Sequence, residues 1–357
     1  MENAADAVFD HEREEKMHLL KQEWKKLVTR DGFLAVFLLC FAATLLILWY
    51  RVYRISYGDS FLPSQYCRMA ERVQNMTETE AEKYFSEEQQ EYDPVRNVVQ
   101  KEWRSAHNYE NYLDKIRSGG SGGLRGLGKN VYQERLQKKL QAKYREMDPA
   151  EVSFAGGRGV SLFCHTDVAD MMAVLMMLLI IFRLVVWEAE SGMDGINMAA
   201  RNGAAWLTRI KWAVGLMASA AVLLLIQMYK LRLYTSAYGF TGWNRVIQVL
   251  PEFVGVDRRI TVFWFVCVFL VCKTAGFLLL YTIFFWLACV GRSAVRTVIL
   301  YGLFTGVSLF TAYGISLSGY LAVLRYFSPA QCINQEMLLS GYHALKLFQY
   351  PVSYLGL

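Results

Sequence analysis

Apolar residues along the chain gather into five long runs separated by polar stretches. They cover 32–50, 168–187, 212–229, 261–290 and 297–324. A helix rises about 1.5 Å per residue, so about 20 apolar residues cross a hydrocarbon layer of about 30 Å. The first three runs fit that length closely, whereas the last two exceed it and are expected to tilt or project. Only Gly291 to Arg296 separates those two, which predicts an antiparallel helical hairpin. Trp and Tyr crowd the run ends, the position amphipathic rings take at headgroup level. The pattern therefore predicts an all-α integral membrane protein with about five transmembrane helices and a helical extramembrane arm between the first and second.

The polar stretches carry weaker periodicities. Within 1–31, Met17, Leu20, Trp24, Leu27 and Val28 recur at helical spacing, which predicts an amphipathic helix lying on headgroups or docked on a partner. The region 51–167 is the only sizeable extramembrane segment. Thr77 and Glu80 form a capping box that opens a helix toward Tyr92, and Asp93–Pro94 opens a second running to about Arg117. A third is expected after Asn130, with Tyr132, Leu136, Leu140 and Tyr144 on one stripe, beyond a Gly-rich connector at 118–128. One apolar stripe per helix makes a thin core, so an arm packing along other proteins is expected rather than an enzymatic domain. Loops follow at 188–211 and 230–260. The apolar tail at 325–357 is expected on the membrane surface or against a neighbour.

Composition and charge sharpen this picture. Of 357 residues, 54% are hydrophobic and 20% charged, with a formal net charge of +6, which excludes disordered and disulfide-scaffold classes. Acids and bases nearly cancel across 51–167, so no extended nucleic-acid surface is expected. Lys16, Lys21, Lys25, Lys26 and Arg30, just before the first run, favour an N-terminus on the cytoplasmic or matrix side. Arg232, Arg245, Arg258 and Arg259 argue the opposite for 230–260. Five crossings put the termini on opposite sides. The acidic first residues resemble neither a secretory signal nor an Arg-rich transit peptide, so insertion is expected to use the first span itself.

Candidate chemistry is sparse. Gly123 to Lys129 matches the start of a P-loop, but Asn130 replaces the Ser or Thr that holds magnesium, and no buried strand precedes it. The five His include no pair at i, i+3 or i+4, so no helical metal or haem clamp is expected. No cofactor and no catalytic residue is assigned. Cys67 and Cys164 flank the extramembrane region and could form a disulfide on an oxidising side. Asn75-Met76-Thr77 is a glycosylation sequon.

Lys273 falls inside the fourth run, with no carboxylate at matching depth in another span. Asp167 and Asp170 read as the entrance of the second run, and Glu188 as lying beyond its end. Lys273 then snorkels to headgroups, pairs with a group from outside the chain, or lines an ion pathway. Arg183 is expected to snorkel and Gln227 to be interfacial. Small residues Gly302, Gly306, Ser316 and Gly319 mark a close-packing stripe on the fifth run, as do Gly215 and Ser219 on the third. No paired helix interruption marks a transporter site. The expectation is a non-catalytic subunit of a large membrane complex in contact with other subunits and phospholipids, in a mitochondrial respiratory or ATP-synthase complex of the inner membrane. The alternative is a channel or transporter of the secretory pathway or plasma membrane.

Overall fold

A computed structural model describes residues 17–27 (except 19 and 26), 32–53, 61–87, 94–107, 154–192 (except 155), 203–253 (except 241), 260–310, 329–333, 344–347 and 350–353. The protein is an all-α membrane protein. Among the described residues, four helical segments are long and apolar enough to cross a membrane, and a shorter apolar helix follows them. The first crossing is α1 (Phe33–Tyr53). Three polar helices come next, α2 (Pro63–Gln74), α3 (Glu78–Glu87) and α4 (Pro94–His107). The second crossing is divided into α5 (Arg158–Cys164) and α6 (Val168–Ile181), and α6 runs on through a π turn at Phe182–Val186 to Glu190. Then come α7 (Gly203–Tyr238), α8 (Val262–Gly291) and α9 (Ala294–Leu309). One short antiparallel hairpin, β1 (Ala344–Leu347) with β2 (Tyr350–Ser353), lies near the C-terminus.

The helices outrun the apolar runs where charged residues flank them. The third run was expected at 212–229, yet α7 spans Gly203–Tyr238 and takes Arg209, Lys211, Lys230 and Arg232 into its backbone ladder. Its 36 residues reach about 54 Å, well beyond the hydrocarbon. The helix α2 had no sequence expectation. Pro63 at its first position needs no hydrogen-bond partner, and Gln65 Oε1 accepts the Leu62 N–H at 2.8 Å. The Thr77–Glu80 cap forms as a hydrogen-bonded box, with Glu80 Oε2 accepting from the Thr77 N–H at 2.9 Å and its hydroxyl at 2.7 Å.

The bundle has two dissimilar ends. At the proximal end lie the start of α1, residues 187–190, and the α8–α9 turn, where Glu190 Oε1 accepts the Ala294 N–H at 2.7 Å. Leu27 packs there against Ile180, Leu184, Ile210 and Val214, which docks the N-terminal segment on the bundle itself. Met17, Leu20 and Trp24 remain exposed. At the distal end, the described helices α2–α4 pack on the bundle. Their apolar faces continue the bundle core, with Tyr66 edge-on to Tyr238, Phe85 against Trp103, and Val95 and Val99 buried beside Ile247 and Phe253. Thin single-stripe helices gain the burial they lack by sharing it with α5, α7 and the 3₁₀ turns at Ile247–Val249 and Pro251–Phe253. Thr166, at this distal end, donates to Ile333 O at 3.4 Å.

Gly215 marks one of the close helix contacts. A Cβ there would sit 2.1 Å from Tyr281 Oη and 2.8 Å from Leu184 Cδ1, whereas a Cβ at Gly302 or Gly306 meets nothing within 4 Å. Gly215→Val should therefore lower the melting temperature in detergent, by the equivalent of about 1–3 kcal/mol for an overpacked site. Gly306→Ala should leave it unchanged. Equal melting temperatures for the two variants would contradict this assignment.

Candidate functional site

The second crossing is interrupted at His165–Asp167, and this break organises the most polar place inside the bundle. Free N–H groups at a helix start favour negative charge. Asp167 is the N-cap of α6, its Oδ1 accepting the Ala169 N–H at 3.0 Å and the Asp170 N–H at 3.4 Å. Asp170 reaches back, its Oδ2 accepting the Asp167 N–H at 3.1 Å. Both carboxylates are thus fixed by the backbone of one apolar helix.

Three side chains from α7 and α8 answer them. Lys230 Nζ lies 3.2 Å from Asp167 Oδ2 and 3.5 Å from Asp170 Oδ2, and donates to the orphaned His165 carbonyl at 2.7 Å. Lys273 Nζ lies 2.7 Å from Asp170 Oδ1, and Gln227 Nε2 donates to the same oxygen at 2.7 Å. None of the four charged side chains is more than 3% exposed. Phe163 and Phe269 wall the cluster, their ring centroids 5.9 Å from Lys230 Nζ and 5.4 Å from Lys273 Nζ. Two carboxylates and two ammonium groups cancel, as burial at this depth requires.

Exposed aromatic rings place the cluster relative to the lipid. On α8, Trp264 and Trp286 are 63% and 59% exposed, and the 22-residue step between them covers about 33 Å, close to a hydrocarbon thickness. Lys273 lies about 14 Å from the level of Trp264 and about 20 Å from that of Trp286. The cluster is therefore buried in the distal half of the membrane. Chemically it is a clasp that sets the register of α6, α7 and α8. Its two ammonium groups repel a free cation, and among the described residues no group of three His, Cys, Asp or Glu could hold a metal.

The structure relocates several residues singled out in the sequence. Lys273 has its counter-charge inside the chain, because the break carries Asp170 in past the apparent entrance of the span. Gln227 is buried on Asp170 rather than interfacial. Arg183 does not snorkel clear: it is buried within the π turn, its guanidinium 5.2 Å from the Trp187 ring. Cys67 and Cys164 are free thiols, Cys67 Sγ donating to Ala237 O at 3.3 Å and Cys164 lying in the core. Ser219 is buried beside the Gly215 contact. Asn75 is the exposed C-cap of α2. Ser316, Gly319 and the 118–130 connector with its P-loop-like stretch lie outside the described residues, as does the helix expected after Asn130. Asp167 and Asp170 were read only as the entrance of the second run, and Lys230 was not singled out. Their signal was a matched i, i+3 spacing, Asp167 with Asp170 and Gln227 with Lys230, which puts each pair on one helix face.

A second polar group sits above the break, in the distal cap. Tyr66 Oη donates to Glu102 Oε2 at 2.5 Å and accepts the Arg158 N–H at 3.4 Å. Arg158 also pairs with Glu252 at 3.6 Å. Burial pushes the Glu102 carboxyl up from 4.5 to about 8, overriding the Tyr66 hydrogen bond that favours the ionised form. Burial and the adjoining carboxylate raise Tyr66 as well.

Comparison with known proteins finds no matching family, no matching curated protein and no matching solved structure. The fold and the buried cluster together define the class: a multi-pass helical membrane protein with an internally neutral four-charge cluster in its core.

Two outcomes follow from this geometry. Removing one partner of a buried pair leaves an uncompensated charge, so Lys273→Met or Asp170→Leu alone should cost about 3–5 kcal/mol in detergent unfolding. The double variant should cost clearly less than the sum; strict additivity would show that the pair is not coupled. In the cap, folded Glu102 holds its proton to about pH 8 while an unfolded carboxyl loses it near 4.5. The folded state then binds more protons between these values, so stability should fall as pH rises from about 4.5 to 8. Melting temperatures at pH 5 and pH 8.5 should show that fall in the native chain and a smaller one in Glu102→Gln.

Proposed function

We propose that the chain is a non-catalytic, membrane-embedded subunit of a larger multi-subunit complex, to which it contributes transmembrane helices and a distal cap. The observation that carries this reading is the outward face of α9. Gly302 and Gly306 sit there with open space where a Cβ would point, flanked by exposed Val295, Val298, Leu303 and Val307. Small residues facing lipid forfeit dispersion contacts, whereas the same residues facing another helix allow close backbone approach. The four-charge cluster, internally neutral and enclosed, supports a structural part in this chain rather than a reaction centre. For the compartment we propose the mitochondrial inner membrane, in a respiratory or ATP-synthase complex, on the chain's mildly basic net charge of +6 and its helical N-terminal segment.

A second reading has its own observation. A span broken within the bilayer beside buried charge is the arrangement by which transporters hold polar cargo, and the break at His165–Asp167 supports a part in transport. In that reading the chain is a channel or transporter of the secretory pathway or plasma membrane.

Native electrophoresis in mild detergent, with mass spectrometry of the band, tests the first reading. Co-migration with other subunits in fixed stoichiometry is expected, and Gly306→Leu should deplete that band while leaving membrane insertion intact. Migration as a lone chain would overturn it. Because Asn75 is exposed, a glycosidase-sensitive mass shift there would assign the secretory pathway instead.

A further inference from the structure

The proximal end holds a cavity of about 750 Å³ between the π turn, the start of α7 and the end of α8. Its wall within the membrane is apolar, formed by Val185, Phe285, Trp286 and Cys289. Its rim is basic, formed by Arg209 and Arg292, both exposed. Lys211 also lines it but is already engaged in a buried pair with Glu188. Of the other acids described at this end, Glu190 is committed to the N–H of Ala294 and Glu23 is buried. Among the described residues no carboxylate pairs with Arg209 or Arg292, and the two guanidinium groups make this rim basic. Exposed Trp187 and Trp286 set the cavity at headgroup level.

Arg292 supplies an independent observation. It ends α8 with φ 55° and ψ −4°, in the left-handed region. It is the one residue other than Gly with positive φ among the described residues. That place in a helix terminus favours Gly, which here stands one position earlier as Gly291. An arginine is thus kept where the backbone disfavours it, and its side chain borders the cavity. Such strain is a pointer toward function when a specific interaction accompanies it.

We propose that this cavity binds one anionic phospholipid, its phosphate held by Arg209 and Arg292 and its upper acyl segment lying against Val185, Phe285 and Trp286. Apolar wall, basic rim and interfacial depth match the three parts of such a molecule in order. A zwitterionic lipid would bring a second cation toward the arginines. A free phosphate would leave the apolar wall unfilled. The inference does not depend on the subunit reading above, since a solitary chain would hold the same lipid.

The test uses the full chain, delipidated in mild detergent and titrated with phosphatidylglycerol, phosphatidylcholine or inorganic phosphate under native mass spectrometry. One phosphatidylglycerol should be retained at concentrations where phosphatidylcholine is not, and inorganic phosphate should not displace it. Arg209→Gln and Arg292→Gly should each weaken retention roughly fivefold. Arg292→Gly should also keep or raise the melting temperature, because Gly fits the left-handed turn. That separates loss of a ligand from loss of fold, and Arg209→Gln decides the matter if Arg292→Gly melts lower. Equal retention of both lipids, unchanged retention in the double variant, or displacement by inorganic phosphate would each overturn the proposal.

Discussion

The structure depends on one ionic knot, the contact of Asp170 with Lys273, Lys230 and Gln227 inside the bundle. Charge in hydrocarbon is tolerated only when it is paired and hydrogen-bonded, so each member of the knot constrains an element of the fold. The carboxylates need N–H donors, and the start of α6 provides them. A helix start in mid-span frees the carbonyl of His165, and Lys230 takes that carbonyl. Lys273 then fixes how far α8 may slide past α6. Break, register and pairing form a closed set in which no single member changes without leaving a charge or a carbonyl exposed to lipid.

The two ends of the bundle follow different rules. Distally, the core runs without interruption from Phe269 and Phe163 through Tyr238 to Tyr66 and Trp103, so the polar helices act as a lid on the broken span. Glu102, Tyr66 and Arg158 tie that lid to the first turn of α5. Proximally, the helices splay around an apolar cavity with an arginine rim. One end closes over the knot; the other opens on a cavity with a basic rim.

Much of the architecture was legible from apolar run length alone, because crossing lipid leaves few alternatives to a long helix. The Thr77 and Pro94 helix starts were equally readable, since a cap is a local hydrogen-bond problem. The knot was not, for a physical reason. Asp167, Asp170 and Lys230 each lie at the edge of an apolar run, and the edge of a run reads as the edge of the membrane. Only the interruption at His165, which no Gly or Pro marks, carries those residues inward. The glycines divide in the same way. Gly215 and Gly302 look alike in sequence, yet one lies under Tyr281 and the other faces outward, a difference set by which helices are neighbours.

The internal break also bears on how the chain is made. When insertion accompanies synthesis, Asp170 reaches the bilayer before either lysine that neutralises it has left the ribosome. The segment carrying it must then wait near a polar refuge, such as the wall of the insertion machinery, until α7 delivers Lys230 and α8 delivers Lys273. Biogenesis of this protein is therefore ordered by charge: the second crossing becomes settled in lipid only after the fourth has arrived.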